Sequence, residues 1–316
     1  MTTPLVSVVL PVRDGAAFVA DAIESIRSQT MREFELLVID DGSRDGTQSI
    51  LERIASSDAR LRVITQPALG LVAALNRGLS EARAGYVARM DADDIAAPER
   101  LARQAVVLDA APGVAAIGSA CRVIDRNGAV LRHRYPPTDP GKIRRALVIG
   151  NCMIHPTMML RRASVLQAGG YHPAFLLCED FDLWLRLAER HDLLNLPEPL
   201  LDYREHEGQS AWRDLEQRAL SELGALAAAA HRRAGSPDPT EDATLIDRDL
   251  LGRIGVTEAA ITGRIAACAL GAAQQAIAAG QFGPARAALD LLLSQSNLSP
   301  RTRLHGWLLL LRSRIG

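Results

Sequence analysis

The sequence predicts an α/β fold, with a mixed, mostly parallel sheet covered by helices on both faces, followed by an all-helical C-terminal region. Two observations support this prediction. The first hundred residues alternate short apolar runs, rich in β-branched side chains, with segments whose apolar residues recur at helical spacing. From about residue 209 the chain becomes rich in Ala and Leu, again at helical spacing.

The four strands predicted in the first hundred residues are short apolar runs, each followed by a helical segment. They span residues 6–10, 34–39, 61–65 and 86–90. Pro11 is expected to close the first strand, Asp45 to cap the second helix, and Pro98 to lie in the first turn of a helix. Short connections predict parallel strands, and ligands bind where loops leave their carboxyl ends.

The middle of the chain, from residue 113, has shorter segments punctuated by Gly and Pro. An extended piece at 130–135, a strand at 158–160 and a helix at 181–188 predict a mixed sheet that completes the same domain. We place that domain at residues 1–212 and a helical region at 213–316. Residues 236–239 form a predicted loop, and 266–293 resembles one unit of a helical repeat.

Charge and cysteine usage exclude several classes of protein. The chain has 36 Lys and Arg against 37 Asp and Glu, so nothing in its net charge indicates a nucleic-acid partner. Its four cysteines are dispersed and form no CxxC pair, which argues against a zinc knuckle and suits a reducing cytosol. The N-terminus has a strand pattern and no signal-peptide pattern, and no run approaches the ~20 apolar residues of a membrane span.

The last apolar stretch, residues 307–311, is flanked by arginines. A basic amphipathic helix of this kind can lie on an anionic membrane, so peripheral contact with the inner face of a membrane is one prediction. Packing of its apolar side on the rest of the protein is the alternative that we favour. The arginines are Arg301, Arg303, Arg312 and Arg314.

Two acidic turns follow predicted strands. Asp91 and Asp93 can present oxygen ligands together from an irregular loop, and hard oxygen ligands suit Mn²⁺ or Mg²⁺. Asp40 and Asp41 can accept hydrogen bonds from a nucleobase or ribose. The alternative for each pair is structural: a solvated acidic turn before a helix for the first, and a turn supported by Gly42 for the second.

Taken together, several segments resemble family 2 of the glycosyltransferases, from residue 5 to about residue 212. They are the Val-Ser-Val-Val-Leu-Pro-Val run at 6–12, the Asp-Asp-Gly-Ser-Arg-Asp-Gly-Thr run at 40–47, Asp-Ala-Asp-Asp at 91–94, Glu-Asp-Phe-Asp-Leu-Trp-Leu-Arg at 179–186 and Tyr-Arg-Glu-His at 203–206. The resemblance implies a GT-A fold, which is Rossmann-like, and inverting transfer of a sugar from a nucleotide-diphosphate donor, with UDP favoured.

The resemblance also implies roles for particular residues. Asp93 would ligate a metal bridging the donor diphosphate, Asp91 would face the ribose or the metal, and Asp180 would be the general base. Glu179 is the fallback base, and the acidic segment could instead serve only the N-terminal amides of its helix. The nucleotide-pocket residues are predicted to be Pro11, Val12, Arg13, Asp40, Asp41 and Ala92.

Two further sites are less decided by the sequence. Arg204 and His206 could reach the donor phosphates, since the Arg fork suits phosphate oxygens, or could belong to a solvated loop. His155 precedes a predicted strand and could lie near the acceptor, although a packed or exposed turn is the interpretation we favour.

Two rival functions remain at this stage. A sugar-nucleotide nucleotidyltransferase would share the sheet and the metal carboxylates, but residues 12–15 contain too few Gly and basic residues for a triphosphate loop. A non-catalytic scaffold would use the helical region instead, and the intact carboxylates argue against it. The sequence leaves the donor sugar and the glycan, lipid-linked or protein acceptor open.

Overall fold

A computed structural model describes residues 3–206, 214–295 and 298–315 of the chain. The chain divides into two compact units, each treated by itself below. The first comprises residues 1–172 and 183–204, and the second comprises residues 173–182 and 205–316. The boundary predicted between residues 212 and 213 falls in 207–213, outside the described residues.

The first unit is built on one mixed sheet, to which the described residues contribute nine strands. The strands are β1 (Val6–Val12), β2 (Phe34–Asp40), β3 (Leu61–Thr65), β4 (Tyr86–Arg89), β5 (Ile95–Ala96), β6 (Val114–Ile124), β7 (Val130–Arg134), β8 (Met159–Arg161) and β9 (Asp192–Arg204). Their order is β3-β2-β1-β4-β8-β6-β9-β5, with β7 paired to β6.

The helices that follow or precede these strands form the other layers of the first unit. They are α1 (Val19–Arg27), α2 (Thr47–Ala55), α3 (Leu71–Glu81), α4 (Arg100–Ala110), α5 (Pro140–Leu147), α6 (Arg162–Gln167) and α7 (Glu179–Ala188), whose first turn belongs to the second unit. The first four strands are mutually parallel, as predicted, whereas β8 runs antiparallel to β4 and β6. The α/β prediction is therefore confirmed, with a sheet that is parallel in one half and mixed in the other.

Two of the local predictions for prolines are wrong. Pro11 lies inside β1 and pairs with Ile39 instead of ending the strand. The carbonyl of Val12 accepts a hydrogen bond from Asp41, on the β2 side, and the carbonyl of Val9 accepts one from Met90, on the β4 side. Because bonding groups alternate between the two sides of a strand, Pro11 faces the β4 side, where pairing has already ended at Val9. Its missing N–H therefore interrupts no ladder. Pro98 precedes α4, which begins at Arg100.

The predicted cap of α2 is also placed differently in the structure. The N-cap residue is Gly46, although Oδ1 of Asp45 does accept the backbone N–H of Thr47 at 2.9 Å. Asp45 also accepts the N–H of Ala16, at 3.0 Å. It therefore joins two loops as well as supporting the helix.

The two long strands β6 and β9 are not predicted by the sequence pattern. β6 contains Ala, Gly, Ser and Cys, which have little strand preference, yet it is buried between β8 and β9. β9 contains Pro197 and Pro199, which normally argue against a strand. They fall where the register against β6 jumps from Leu196 to Pro199, so the irregularity accommodates them.

The second unit is helical in its C-terminal part, as predicted. Its helices are α8 (Leu215–Arg233), α9 (Arg248–Arg253), α10 (Glu258–Ala278), α11 (Phe282–Ser294) and α12 (Pro300–Ile315). A small-residue face of α10 packs with leucines of α11 and α12 in one apolar cluster. None of the helices in the described parts of the chain combines the length and the apolar character needed to cross a bilayer.

Candidate functional site

The candidate site in the first unit lies at the carboxyl ends of β1, β2 and β4. Because β1 pairs with both β2 and β4, the chain crosses from one side of β1 to the other between β3 and β4. Such a switch in strand order leaves a crevice between the loops that leave adjacent strands, and ligands bind there in open parallel sheets. The acidic turn at Asp40 and Asp41 follows β2, and the acidic turn at Asp91 and Asp93 follows β4, both at this edge.

The loops that follow β1 and β2 are tied together by hydrogen bonds. The N–H of Asp14 donates to Oγ of Ser43, and the N–H of Gly15 donates to Oγ1 of Thr47, both at 2.9 Å. In return, Oδ1 of Asp14 accepts the N–H of Arg44 at 2.7 Å. Asp14 has a left-handed backbone (φ 53°), which an Asp tolerates better than most residues. These bonds hold the two loops together at the carboxyl edge of the sheet. Arg13, in the loop after β1, is exposed.

Asp41 holds the loop that precedes α3. Its Oδ1 accepts the side-chain amide of Gln66 at 2.7 Å and the N–H of Leu69 at 2.8 Å, and its Oδ2 accepts the N–H of Gly70 at 2.9 Å. Asp40 is buried and accepts the N–H of Ser43 at 3.0 Å. Asp40 therefore has the partner expected of the turn interpretation, whereas the partners of Asp41 lie in a different loop. The contact of both carboxylates with a nucleotide remains a prediction.

Three carboxylates meet after β4. Asp91, Asp93 and Asp94 each offer one oxygen atom, and these three oxygens lie within 4.8 Å of one another. Asp91 and Asp93 are half-buried, whereas Asp94 is buried. Burial, followed by the charges of Asp93 and Asp91, raises the pKa of Asp94 well above its ordinary value. The arrangement concentrates negative charge on one short loop, with Ala92 between the first two carboxylates.

Two buried arginines lie beneath this acidic loop. Arg89 is ion-paired with Asp91. Burial lowers the pKa of Arg89, but the charge and hydrogen bond of Asp91, together with the charges of Tyr171 and Asp94, raise it overall. Arg100 of α4 donates from Nη2 to the carbonyl oxygen of Arg89 at 2.6 Å, and burial lowers its pKa to about 9. The end of β4 is thus held by the Arg89–Asp91 ion pair and by the hydrogen bond from Arg100.

Arg204 fixes the other side of the acidic loop. It is the last residue of β9 and is buried, so it does not lie in the solvated loop that the sequence offered as an alternative. Its Nε donates to the carbonyl oxygen of Asp93 at 2.8 Å, and its Nη1 donates to the carbonyls of Asp125 and Arg126 at 3.3 and 2.9 Å. Its guanidinium also lies 4.8 Å from the ring centroid of Phe18.

Sequence reasoning missed Asp94 and Asp14 as parts of this site. Asp94 follows Asp93 directly, and a third acidic residue in such a turn is a signal that could have been used. Its burial, however, depends on β9, whose Arg204 N–H donates to Oδ1 of Asp94 at 2.9 Å. Asp14 joins its own loop to the loop after β2, whose Ser43 and Arg44 lie 29 and 30 residues further along the chain. Neither contact follows from local pattern.

The predicted base belongs to the second unit. Glu179 and Asp180 lie in the first turn of α7 and not before it; Glu179 is buried and Asp180 is partly exposed. Oδ1 of Asp180 accepts the N–H of Phe181 at 2.7 Å. Leu177 has a left-handed backbone (φ 60°), which is rare for a leucine and is found more often at functional sites than elsewhere.

Cys178 reports the electrostatics of this segment. Burial, and then the charge of Asp180, raises the pKa of its thiol well above the ordinary value, with further contributions from Glu222 of α8 and from Glu179. Glu222 in turn accepts from Nε of Arg218 at 3.1 Å. The base role of Asp180 remains a prediction.

The two predicted histidine positions differ in environment. His155 is buried in a 3₁₀ turn (His155–Thr157), with Nε2 2.9 Å from the hydroxyl of Tyr171 and an edge contact to Trp184. The packed turn that we favoured from the sequence is therefore what the structure shows. His206 is half-buried in the second unit, and its contact with a donor remains a prediction.

Comparison with known proteins decides the family. The family model "Glycosyl transferase family 2" matches residues 7–170, which is more than half of the chain. The chain belongs to glycosyl transferase family 2. Among curated relatives of this family 2 member, the O-antigen biosynthesis glycosyltransferase WbnJ of Escherichia coli is 32% identical over 64% of the chain and 80% of the relative. The putative glycosyltransferase EpsE of Bacillus subtilis is 33% identical over 64% of the chain and 73% of the relative.

Solved structures show the fold of this family 2 chain. The TarS fragment 1–349 of S. aureus, in complex with UDP-GlcNAc, matches with a TM-score of 0.57 at 16% identity and covers 98% of this chain and 92% of its own. The mannosyltransferase PcManGT of Pyrobaculum calidifontis, in complex with GDP-Man and Mn²⁺, matches with a TM-score of 0.54 at 17% identity, covering 100% and 87%. The predicted GT-A fold is confirmed.

Proposed function

We propose that this family 2 glycosyltransferase transfers a sugar, with inversion, from a nucleotide-diphosphate donor to an acceptor hydroxyl in the synthesis of a bacterial polysaccharide or glycoconjugate. The carboxylate cluster of Asp91, Asp93 and Asp94 at the carboxyl end of β4 is the observation that carries the proposal. The names of the relatives support the biological setting, because WbnJ and the amylovoran biosynthesis glycosyltransferase AmsE are both named for polysaccharide synthesis.

The residues present fit a divalent cation. The three carboxylates supply only oxygen, which Mn²⁺ and Mg²⁺ prefer. Oδ2 of Asp94 is buried and has no hydrogen-bond partner among the described residues, which is costly unless another ligand compensates for it. Asp91 and Asp93, which are half-buried, would hold the cation next to the buried Asp94. The bound cation would offset the negative charge that develops on the departing diphosphate.

The nucleotide would lie against the loops that the first unit fixes in place. Pro11 and Val12 end β1, Arg13 follows them, and Asp41 holds the loop before α3 by hydrogen bonds. Because hydrogen bonds already order these loops, they would lose less conformational entropy when a nucleotide binds. The complexes of TarS with UDP-GlcNAc and of PcManGT with GDP-Man support a nucleotide-sugar donor, with uracil and guanine both to be tested as the base.

Asp180 is the residue that we assign as general base. Its carboxylate would accept the proton of the acceptor hydroxyl as the oxygen attacks the anomeric carbon. The new C–O bond forms while the bond from the anomeric carbon to the diphosphate oxygen breaks, and its electron pair leaves with the nucleoside diphosphate. One displacement inverts the anomeric centre, so no second carboxylate is needed as a nucleophile.

Calorimetry tests the donor site directly. UDP, UDP-sugars, GDP and GDP-mannose would be titrated into the full chain with Mn²⁺, with Mg²⁺ and with EDTA. We expect binding of one nucleotide series that is lost in EDTA and weakened at least tenfold in Asp93→Asn. The matched control is Asp290→Asn, which changes an exposed carboxylate on α11 and should bind like the wild type. Absence of binding by every nucleotide to a folded chain, or EDTA-insensitive binding, would contradict the proposal.

A further inference from the structure

The terminal helix α12 has an outer apolar face as well as an inner one. On the inner side, Leu309 and Leu310 are buried in the apolar cluster of the second unit. On the outer side, Leu304, Trp307 and Leu308 are 62%, 50% and 55% exposed. The spacing of three and four residues puts these three on one stripe of the helix. We call Leu304, Trp307 and Leu308 the outer stripe.

Positive charge borders the outer stripe. The span Pro300–Ile315 contains four arginines and one histidine and no Asp or Glu. Arg301 is exposed and Arg303 is half-buried. At about 100° per residue, Arg301 lies on the Leu308 side of the stripe and Arg303 lies on the Trp307 side. The exposed apolar stripe is therefore bordered on one side by exposed Arg301 and on the other by half-buried Arg303, whose Nη2 donates to the carbonyl oxygen of Gln295 at 3.2 Å.

We propose that the outer stripe of α12 binds the surface of an anionic phospholipid bilayer, an interaction that goes beyond the proposed transfer reaction. Leucine side chains can enter the acyl boundary, tryptophan favours the headgroup level, and arginine side chains attract anionic lipids. A second copy of the chain is a poorer occupant, because apposing two such faces would bring cations together with no acidic residue on either helix to pair with them.

The helix would lie in the plane of the interface. Its 16 residues span about 24 Å as an α-helix, less than the ~30 Å of a hydrocarbon core. Its inner side is also already packed on α11, where a Cβ on Gly306 would meet Leu292 at 2.9 Å. Among the α12 side chains that the structure describes, the exposed large apolar ones are those of the outer stripe, so the contact is one-sided and sensitive to ionic strength.

Vesicle co-sedimentation with the full chain tests the proposal. Vesicles of phosphatidylglycerol and phosphatidylcholine would be compared with pure phosphatidylcholine, at low and high NaCl. We expect binding to the anionic vesicles that salt weakens. The variant Leu304→Gln/Trp307→Gln/Leu308→Gln should lose about a hundredfold in partitioning. Arg301→Gln/Arg303→Gln should lose about fivefold for each charge.

Controls separate this surface from general stickiness and from the catalytic site. Val106→Gln/Ile149→Gln removes two exposed apolar residues elsewhere and should bind vesicles like the wild type. All variants should keep metal-dependent nucleotide binding, because their changes lie on the surface of α12 or away from the acidic loop. Equal binding of the triple variant, equal binding to neutral vesicles, or a dimer that the triple variant dissociates without any vesicle binding would overturn the proposal.

Discussion

The backbone N–H of Arg204 donates to Oδ1 of Asp94 at 2.9 Å, while the Arg204 guanidinium donates to the carbonyl of Asp93 at 2.8 Å. The end of β9 and the acidic loop after β4 therefore hold each other, although they are 110 residues apart in sequence. The loop carries the proposed metal ligands. Its geometry depends on the side chain of Arg204, which does not need to touch the donor. We regard Arg204 as a positioning residue.

Replacing Arg204 should loosen the acidic loop. Arg204→Met leaves the carbonyls of Asp93, Asp125 and Arg126 without this donor, and we expect a loss of about 3 kcal/mol in the free energy of unfolding. Urea denaturation measures that loss, and calorimetry should show binding of the preferred nucleotide with its divalent cation weakened more than tenfold. Arg204→Lys, which offers a single ammonium group, should recover part of both quantities.

The neighbouring Arg126 provides a matched control for that prediction. It is exposed and lies 5.4 Å from the same Phe18 ring that Arg204 contacts. Arg126→Met should therefore cost less than about 1 kcal/mol and leave nucleotide binding unchanged. Wild-type stability and affinity in Arg204→Met would show that the loop holds its shape without the guanidinium.

Substituting the proposed base should separate transfer from donor binding. Asp180→Asn keeps the size of the side chain but cannot take a proton, so we expect transfer to fall on the order of 10²- to 10⁴-fold. Donor affinity in the same calorimetric assay should stay within about twofold. Glu179→Gln is the comparison: if it abolishes transfer while Asp180→Asn does not, Glu179 is the base and our assignment is wrong.

The parts of the fold that the sequence predicts are those whose signals are local. β1 and β2 are largely apolar runs that are buried along their whole length in a parallel sheet, and α10 and α11 carry apolar residues at helical spacing along their whole length. In contrast, β9 is stabilised by a partner strand that tolerates an irregular register, and its two prolines conceal it. Tertiary pairing outweighs local propensity there.

The candidate site divides in the same way. Asp91 and Asp93 can be found from their spacing after a strand, because two carboxylates at that interval suggest a cation. The burial of Asp94 and the support of Arg204 come from a strand that joins the sheet 110 residues later. The sequence likewise does not show that Asp41 accepts hydrogen bonds from Leu69 and Gly70, because that loop lies almost thirty residues further along the chain.

Buried His155 should make stability depend on pH. Burial, and then the charge of Arg89, lowers its pKa well below 6.5, so the folded chain keeps the imidazole neutral where the unfolded chain protonates it. Stability should therefore fall as the pH drops below about 6.5, by up to about 1.4 kcal/mol per pH unit, until the folded pKa is reached. Above pH 6.5 the group contributes nothing to the slope.

The measurement is urea denaturation at pH 7.5, 6.0 and 5.0. His155→Gln can still bond the hydroxyl of Tyr171 and should flatten the pH dependence. The raised pKa of Asp94 acts in the opposite direction, since the folded state then binds its proton more readily as pH falls. Subtracting the His155→Gln curve from that of the wild type removes this effect. His133→Gln, at an exposed position on β7, should retain the wild-type slope.

Gly78 of α3 should resist replacement although it lies inside a helix. A Cβ there would meet Cγ1 of Val9 at 2.3 Å and Cγ2 at 3.0 Å. Alanine gains about 1 kcal/mol of helix propensity over glycine, but overpacking costs about 1–3 kcal/mol. Val9 cannot withdraw easily, because β1 is paired on both sides at that residue. We expect Gly78→Ala to lower the free energy of unfolding by up to about 2 kcal/mol.

Two comparisons decide whether the valine is the cause. Gly271→Ala lies inside α10, where no atom is within 4 Å of the new Cβ, and should raise stability by about 0.5–1 kcal/mol in the same denaturation assay. In a Val9→Ala background, the two methyl groups are gone, so Gly78→Ala should become neutral or favourable. A coupling free energy near zero between the two positions would mean that the helix shifts to make room. A coupling above about 1 kcal/mol would mean that α3 is held against β1 by this contact.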